Sequence, residues 1–253
     1  MKRSASAMTD ERAPSPRESG GAAGGKGLGR VVRVWDAPTR WVHALIIVLI
    51  GLAWWTESHD EMEWHIRVGC TLLGVVVFRL LWGVVGGPTA RFSSFVRGPR
   101  TVLSYGLKLV RGGGSESVVG HNPMGGWSVV ALLAVMAAEI AVGLFCVDVD
   151  GLESGPLADR VSFHVGRAAA HWHTLLFNTL LALIGLHLCA IAFYALVRRD
   201  NLIGPMLTGR KRLSDSAVEG ATTGASTGSA TKVLVSGLLA VGAAVWAAFG
   251  FKI

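Results

Sequence analysis

The sequence predicts an all-α transmembrane fold, with four helices forming a bundle and a fifth helix following at the C-terminal end. Three observations carry this. Of the 253 residues 51% are hydrophobic and only 16% charged, with a mean hydropathy of +0.48, whereas a soluble domain carries about 25% charged residues. Nine Trp stand against two Tyr, and Trp favours membrane–water boundaries. Five segments reach the roughly 20 apolar residues a membrane crossing needs: 38–56, 65–86, 127–147, 172–197 and 232–251.

The elements follow in order. Residues 1–30 are rich in Ser, Ala, Gly, Pro and Arg without an apolar run, and read as a disordered tail or in part as an over-extended gene start. The first span has its unbroken apolar core between Trp41 and Trp55, and no small-residue cleavage site follows it, so it reads as a membrane helix. A core of 31–212 holds spans one to four. Residues 213–231, rich in Ser, Thr, Gly and Ala, read as a flexible linker to a separate segment, 232–253. The fifth span is rich in small residues and lacks His, which suits a packing or partner-contact helix.

Charge sets the orientation. The net charge of +7 is not gathered in one stripe, so a nucleic-acid partner is not indicated. It falls in blocks between spans. Loop 87–120 carries Arg91, Arg97, Arg100, Lys108 and Arg111 against Glu116, and 198–212 adds Arg198, Arg199, Arg210, Lys211 and Arg212. Loop 57–63 instead holds Glu57, Asp60, Glu61 and Glu63 with no Lys or Arg, and loop 148–171 sets Asp148, Asp150, Glu153 and Asp159 against Arg160 and Arg167. Basic loops stay cytoplasmic. The expectation is a multi-pass protein of a bacterial cytoplasmic (inner) membrane, with its N-terminus inside and its C-terminus outside. Cys70, Cys146 and Cys189 have no paired or CxxC spacing and read as small packing residues.

The chemistry rests on histidine. An ionisable side chain inside a span is a functional candidate by default. Of eight His, His43 lies in span one, His65 opens span two, and His173 and His187 share span four; His59, His121, His164 and His171 sit in loops or at helix starts. His173 and His187, fourteen residues apart, differ by about 40° in direction and about 21 Å in height on a helix, so both face one side. Depth pairs the rest. His65 lies at the outer edge with His173, while His43 and His187 lie about 18 and 21 Å below that edge. Measured from the cytoplasmic side the inner pair matches less well, unless helix four projects beyond the membrane. Two imidazoles across a bundle suit an iron porphyrin, which takes two axial side chains. A zinc site wants three or four protein ligands, and a divalent-metal carrier would be expected to offer an intramembrane Asp.

These residues, in this order, resemble the bacterial cytochrome b561 family, and are similar to the b-type cytochrome subunits of nickel-iron hydrogenases. The matching stretches are Val34-Trp35-Asp36 with Thr39-Arg40-Trp41-Val42-His43; Trp64-His65 with Gly69 and Arg79; and Gly120-His121-Asn122-Pro123-Met124-Gly125-Gly126. His173, Gly185-Leu186-His187, Asn201-Leu202-Ile203 and Pro205-Met206-Leu207-Thr208-Gly209 complete the set. The resemblance covers 31–212 and implies two haem b groups, held by His43, His65, His173 and His187. It also implies electron exchange with ubiquinone or menaquinone and with a soluble redox partner such as a c-type cytochrome, dehydrogenase or hydrogenase. Two readings of the activity stand: an electron carrier of the respiratory chain, which would make it a quinone-linked oxidoreductase subunit, or a membrane anchor that docks the partner.

Other residues have weaker signals. Arg79 shares the His65 face fourteen residues on, and reads either as a counter-charge to a haem propionate or as an Arg snorkelling to water. Gly69 makes room for a flat porphyrin or is an ordinary membrane-helix glycine. Glu139, deep in span three, could accept protons or touch quinone, or could simply be a protonated acid hydrogen-bonded to a neighbouring helix. His121 and Asn122 precede Pro123 at the start of span three, as a helix-start motif or as the lining of a quinone or propionate site.

Overall fold

In the computed structural model the described residues are 30–112, 120–149, 153–213 and 229–249. The expected N-terminal tail and linker therefore lie almost wholly outside the described residues. Among the described residues five helices are long and apolar enough to cross a membrane, and they are the five the sequence predicts. Helix α1 (Ala37–Glu57) starts where Asp36 accepts the Thr39 N–H at 2.9 Å, with Pro38 in its first turn. It turns through residues 58–61 into α2 (Met62–Val85). After the short α3 (Phe92–Phe95) and α4 (Pro99–Val110), α5 (Pro123–Gly143) begins under the Asn122 cap, whose Oδ1 accepts from the Gly125 N–H at 2.7 Å. Then come α6 (Phe163–Leu196), the single-turn-and-a-half α7 (Ile203–Thr208) and α8 (Ala230–Phe249).

Helices α1, α2, α5 and α6 share one apolar centre built from Leu49, Leu72, Val76, Leu133, Met136, Ile140 and Leu180. Every one of the four contributes to it. Others, such as Leu45, Ile47, Leu186 and Leu188, are exposed on the outside of the bundle, as a lipid solvent allows. Exposed Trp rings mark both ends: Trp54, Trp55, Trp64 and Trp172 at one, Trp41 and Trp127 at the other. The first of these, bearing the α1–α2 turn, is called the outer end below, following the charge reading. Helix α8 packs on α2 rather than joining the centre. The crossing is tight, because a Cβ at Gly74 would lie 3.0 Å from the Ala240 carbonyl oxygen and 3.1 Å from the Ala244 Cβ.

Three features depart from the sequence reading. Helix α6 starts at Phe163, nine residues before the expected 172, and so takes in His164 and His171. Hydropathy marks the apolar stretch, not the helix, which Ser162 caps at its start and Arg167 and Ala168 to Ala170 favour ahead of that stretch. With 34 residues, α6 is about 51 Å long and outreaches a bilayer core of about 30 Å, but the added turns precede His173 at the outer end and not at the cytoplasmic end where the inner pair would need them. The basic loop 87–120 contains α4, which turns Val102, Tyr105 and Leu109 to the protein and exposes Leu103, Leu107 and Val110 beside Arg100 and Lys108. That division suits a helix lying in the membrane surface. Finally, the all-α expectation omits a small ladder in which β1 (Arg30–Arg33) pairs antiparallel with β2 (Arg210–Leu213). Four-residue strands rich in Arg and Lys carry too little alternation to be read in advance.

Candidate functional site

At the outer end, His65 stands on the first turn of α2 and His173 on α6. Their rings face each other with centroids 6.2 Å apart and planes at 88°. Each imidazole is held from behind. Nδ1 of His65 donates to the Ala53 carbonyl of α1 at 2.9 Å. Nδ1 of His173 lies 3.1 Å from the Glu139 carbonyl and 3.1 Å from its carboxylate Oε1, both on α5. A carbonyl oxygen only accepts, so the proton of each ring sits on Nδ1 and the lone pair on Nε2. Both rings line a cavity of about 460 Å³, together with Gly69, Met136, Glu139 and Phe177. A Cβ at Gly69 would meet nothing within 4 Å, whereas one at Gly143 would press on the His173 ring.

At the inner end, His43 of α1 and His187 of α6 are half-buried and close enough to interact electrostatically. His121 lies nearby, its ring centroid 4.6 Å from Trp35 and 4.4 Å from Phe95. Burial pushes its pKa down to about 3, helped by the charges of Arg79 and His187, so the ring is neutral. Its Nδ1 is buried without a hydrogen-bond partner. Arg79 is only 5% exposed. Its guanidinium sits 5.0 Å over the Phe92 ring, donates to the Ala90 carbonyl at 3.4 Å, and feels the charge of Asp36. It does not snorkel to water. Asp36 is fully buried, capping α1 with one oxygen and accepting from Trp82 Nε1 at 3.0 Å with the other. Asn122 is committed to structure: besides its cap it donates to the Tyr194 hydroxyl at 2.9 Å, which also meets Tyr105 at 2.9 Å.

Residues 34–209 match the sequence profile of the family described as prokaryotic cytochrome b561. The chain belongs to this family. Like other cytochromes b561, it is a multi-pass membrane b-type cytochrome, and its business is electron transfer. It is also similar to a protein of Azotobacter chroococcum mcd 1 described as a probable Ni/Fe-hydrogenase B-type cytochrome subunit. The two are 26% identical over 217 residues, which span 73% of this chain and 90% of that relative. No solved structure matches the chain.

The outer end of this cytochrome b561 fits a haem on its own geometry. Imidazole nitrogen binds a metal at about 2 Å, so two rings on opposite sides of one ion have centroids roughly 6 Å apart, close to the 6.2 Å found. The cavity volume lies within the range of pockets that take large ligands. Among the described residues no group of three or more His, Cys, Asp or Glu is placed to hold a bare metal ion. Sequence reading missed several supporting parts. Gly143 gave no signal, and the Ala53 carbonyl gives none in any sequence. Asp36, standing before Ala-Pro-Thr, was legible as a helix cap, but its bond to Trp82 was not.

Proposed function

We propose that this cytochrome b561 holds two haem b groups one above the other, the outer between His65 and His173 and the inner between His43 and His187. It would pass electrons between the quinone pool and a redox partner. The observation that carries this is the outer pair, two imidazoles 6.2 Å apart whose Nδ1 atoms are both anchored to backbone carbonyls. Haem supplies the one-electron iron couple. The protein's part is to hold the tautomer of each ligand, to shield the cavity with Met136, Phe177 and Leu180, and to space the two sites along α6. Arg79, buried beside the inner pair, is the counter-charge for a propionate there, and His121 offers that site an uncommitted nitrogen.

The orientation that the loop charges support places the N-terminus in the cytoplasm of a bacterium and the outer pair toward the far side of its inner membrane. The name of the Azotobacter relative favours a hydrogenase as the soluble partner, and docking that partner would be compatible with electron transfer.

Single and double Ala substitutions test the pairing. His65→Ala, His173→Ala and the double variant should each keep one haem per chain, and so should His43→Ala, His187→Ala and their double variant. A double variant that takes one His from each pair should keep none. If His65→Ala with His173→Ala loses both haems while His65→Ala with His43→Ala keeps one, the pairing is wrong. Co-purification with a hydrogenase supports the docking role, and quinol-reducible protein isolated as a single chain counts against a need for it.

A further inference from the structure

Glu139 brings a carboxyl group into the interior of α5, and the electron-transfer role as described so far makes no use of it. Its side chain is buried, with Oε1 at 3.1 Å from Nδ1 of His173 and Oε2 enclosed without a hydrogen-bond partner. Burying such a group is costly unless it serves a neighbour. The neighbour within reach is the imidazole N–H of His173, on the wall of the same cavity. The facing ligand is held differently, since Nδ1 of His65 meets only the Ala53 carbonyl. Two rings that address one cavity thus have unequal support behind them.

Resting on the outer-haem reading above, we propose that Glu139 is a positioning residue for His173 that sets the reduction potential of the outer haem. The backbone carbonyl of Glu139 alone would orient the ring. The carboxyl Oε1 adds a second acceptor on the same N–H, and acceptors behind a metal-bound imidazole raise its basicity. A stronger donor on the axis favours the oxidised, more positive iron. Glu139 therefore holds the outer couple at a lower potential than a carbonyl-supported His would. The couple exchanges one electron at iron, and no proton transfer is required of Glu139.

Potentiometric titration of the purified full-length protein tests this, with the outer component identified as the one missing from His65→Ala. Glu139→Leu keeps much of the bulk but removes the second acceptor. The expected result is two bound haems and an outer component whose oxidation equilibrium has moved about tenfold toward the reduced form, which is about 59 mV upward for one electron. The inner component stays in place, the outer ferric EPR signal shifts, and Glu139→Gln, which keeps an acceptor oxygen, returns both toward wild type. Loss of the outer haem alone from Glu139→Leu, with retention in Glu139→Gln, supports the same role. An unmoved outer midpoint with two haems bound, or equal movement of both components, overturns the role and leaves the two-haem reading standing. Wild-type protein without haem at these pairs would instead remove the reading on which the role rests.

Discussion

Adding one methyl group at Gly143 should dislodge the outer haem while sparing the inner one. Gly143 ends α5 against the His173 ring, and a Cβ there would lie 2.8 Å from Cε1 and 3.1 Å from Nδ1. Ordinary contact begins at 3.4 Å, so in Gly143→Ala the ring carbon must retreat by about 0.6 Å, more than the roughly 0.5 Å a ligand constellation tolerates. The ring cannot simply swing aside, because Nδ1 is tied to two oxygens of Glu139 at 3.1 Å, already near the 3.2 Å limit of a good N–H···O bond. Overpacking of this kind costs about 1–3 kcal/mol. Charged to haem binding, that is roughly a 5- to 150-fold loss of outer-haem affinity. The inner pair, about 21 Å further along α6, should be untouched. The assay is transfer of haem to excess apomyoglobin, followed optically. One haem should leave Gly143→Ala markedly faster than wild type, and the second should leave at the wild-type rate. Gly51→Ala is the control, since a Cβ there meets nothing within 4 Å. Wild-type release of both haems from Gly143→Ala, with an unchanged outer potential, would refute the placement of His173 as a ligand.

Three further outcomes follow from particular contacts. Asp36→Ala removes the cap of α1 and strands the buried Trp82 N–H, so it should destabilise by about 2–4 kcal/mol, read as a lower midpoint of thermal haem release in detergent. Gly74→Leu should force α8 away from α2 and break the bond from Lys232 Nζ to the Val85 carbonyl, read as faster tryptic cleavage at Lys232, yet leave haem content at the wild-type value, because α8 lies outside the apolar centre. His121 has a folded pKa of about 3 against an ordinary 6.5. Its neutral burial therefore contributes stability above pH 6.5 that is lost as pH falls toward 3, on the order of 3 kcal/mol by pH 4. His121→Gln should flatten the fall of the melting midpoint between pH 6.5 and 4, and an unchanged slope would contradict the burial.

Much of this was readable before any coordinates. The five spans were, because apolar length is a direct demand of the bilayer. His173 and His187 were, because one helix sets both their direction and their separation. Pairing across helices needed a common reference, and the Trp54–Trp55 edge supplied it. Glu139 stood out as a buried acid, but its partner depends on how α5 is rotated against α6, which span-level patterning does not record. The sequence allows Arg79 two settings, and the interactions with Asp36 and Phe92 that separate them come from distant segments. Helix α4 is masked by basic residues that equally suit a loop, although Leu103, Leu107 and Val110 recur at helical spacing. The Ala53 carbonyl that fixes the His65 tautomer is backbone, and no side chain announces it.

The central claim is two stacked haem b groups in one chain. It is tested most directly by a dithionite-reduced-minus-oxidised spectrum of the purified protein, with haem extracted and counted against protein by amino-acid analysis. The account predicts a b-type reduced band and two non-covalent haems per chain. A single haem per chain, or a protein with no reduced b-type band, would contradict it.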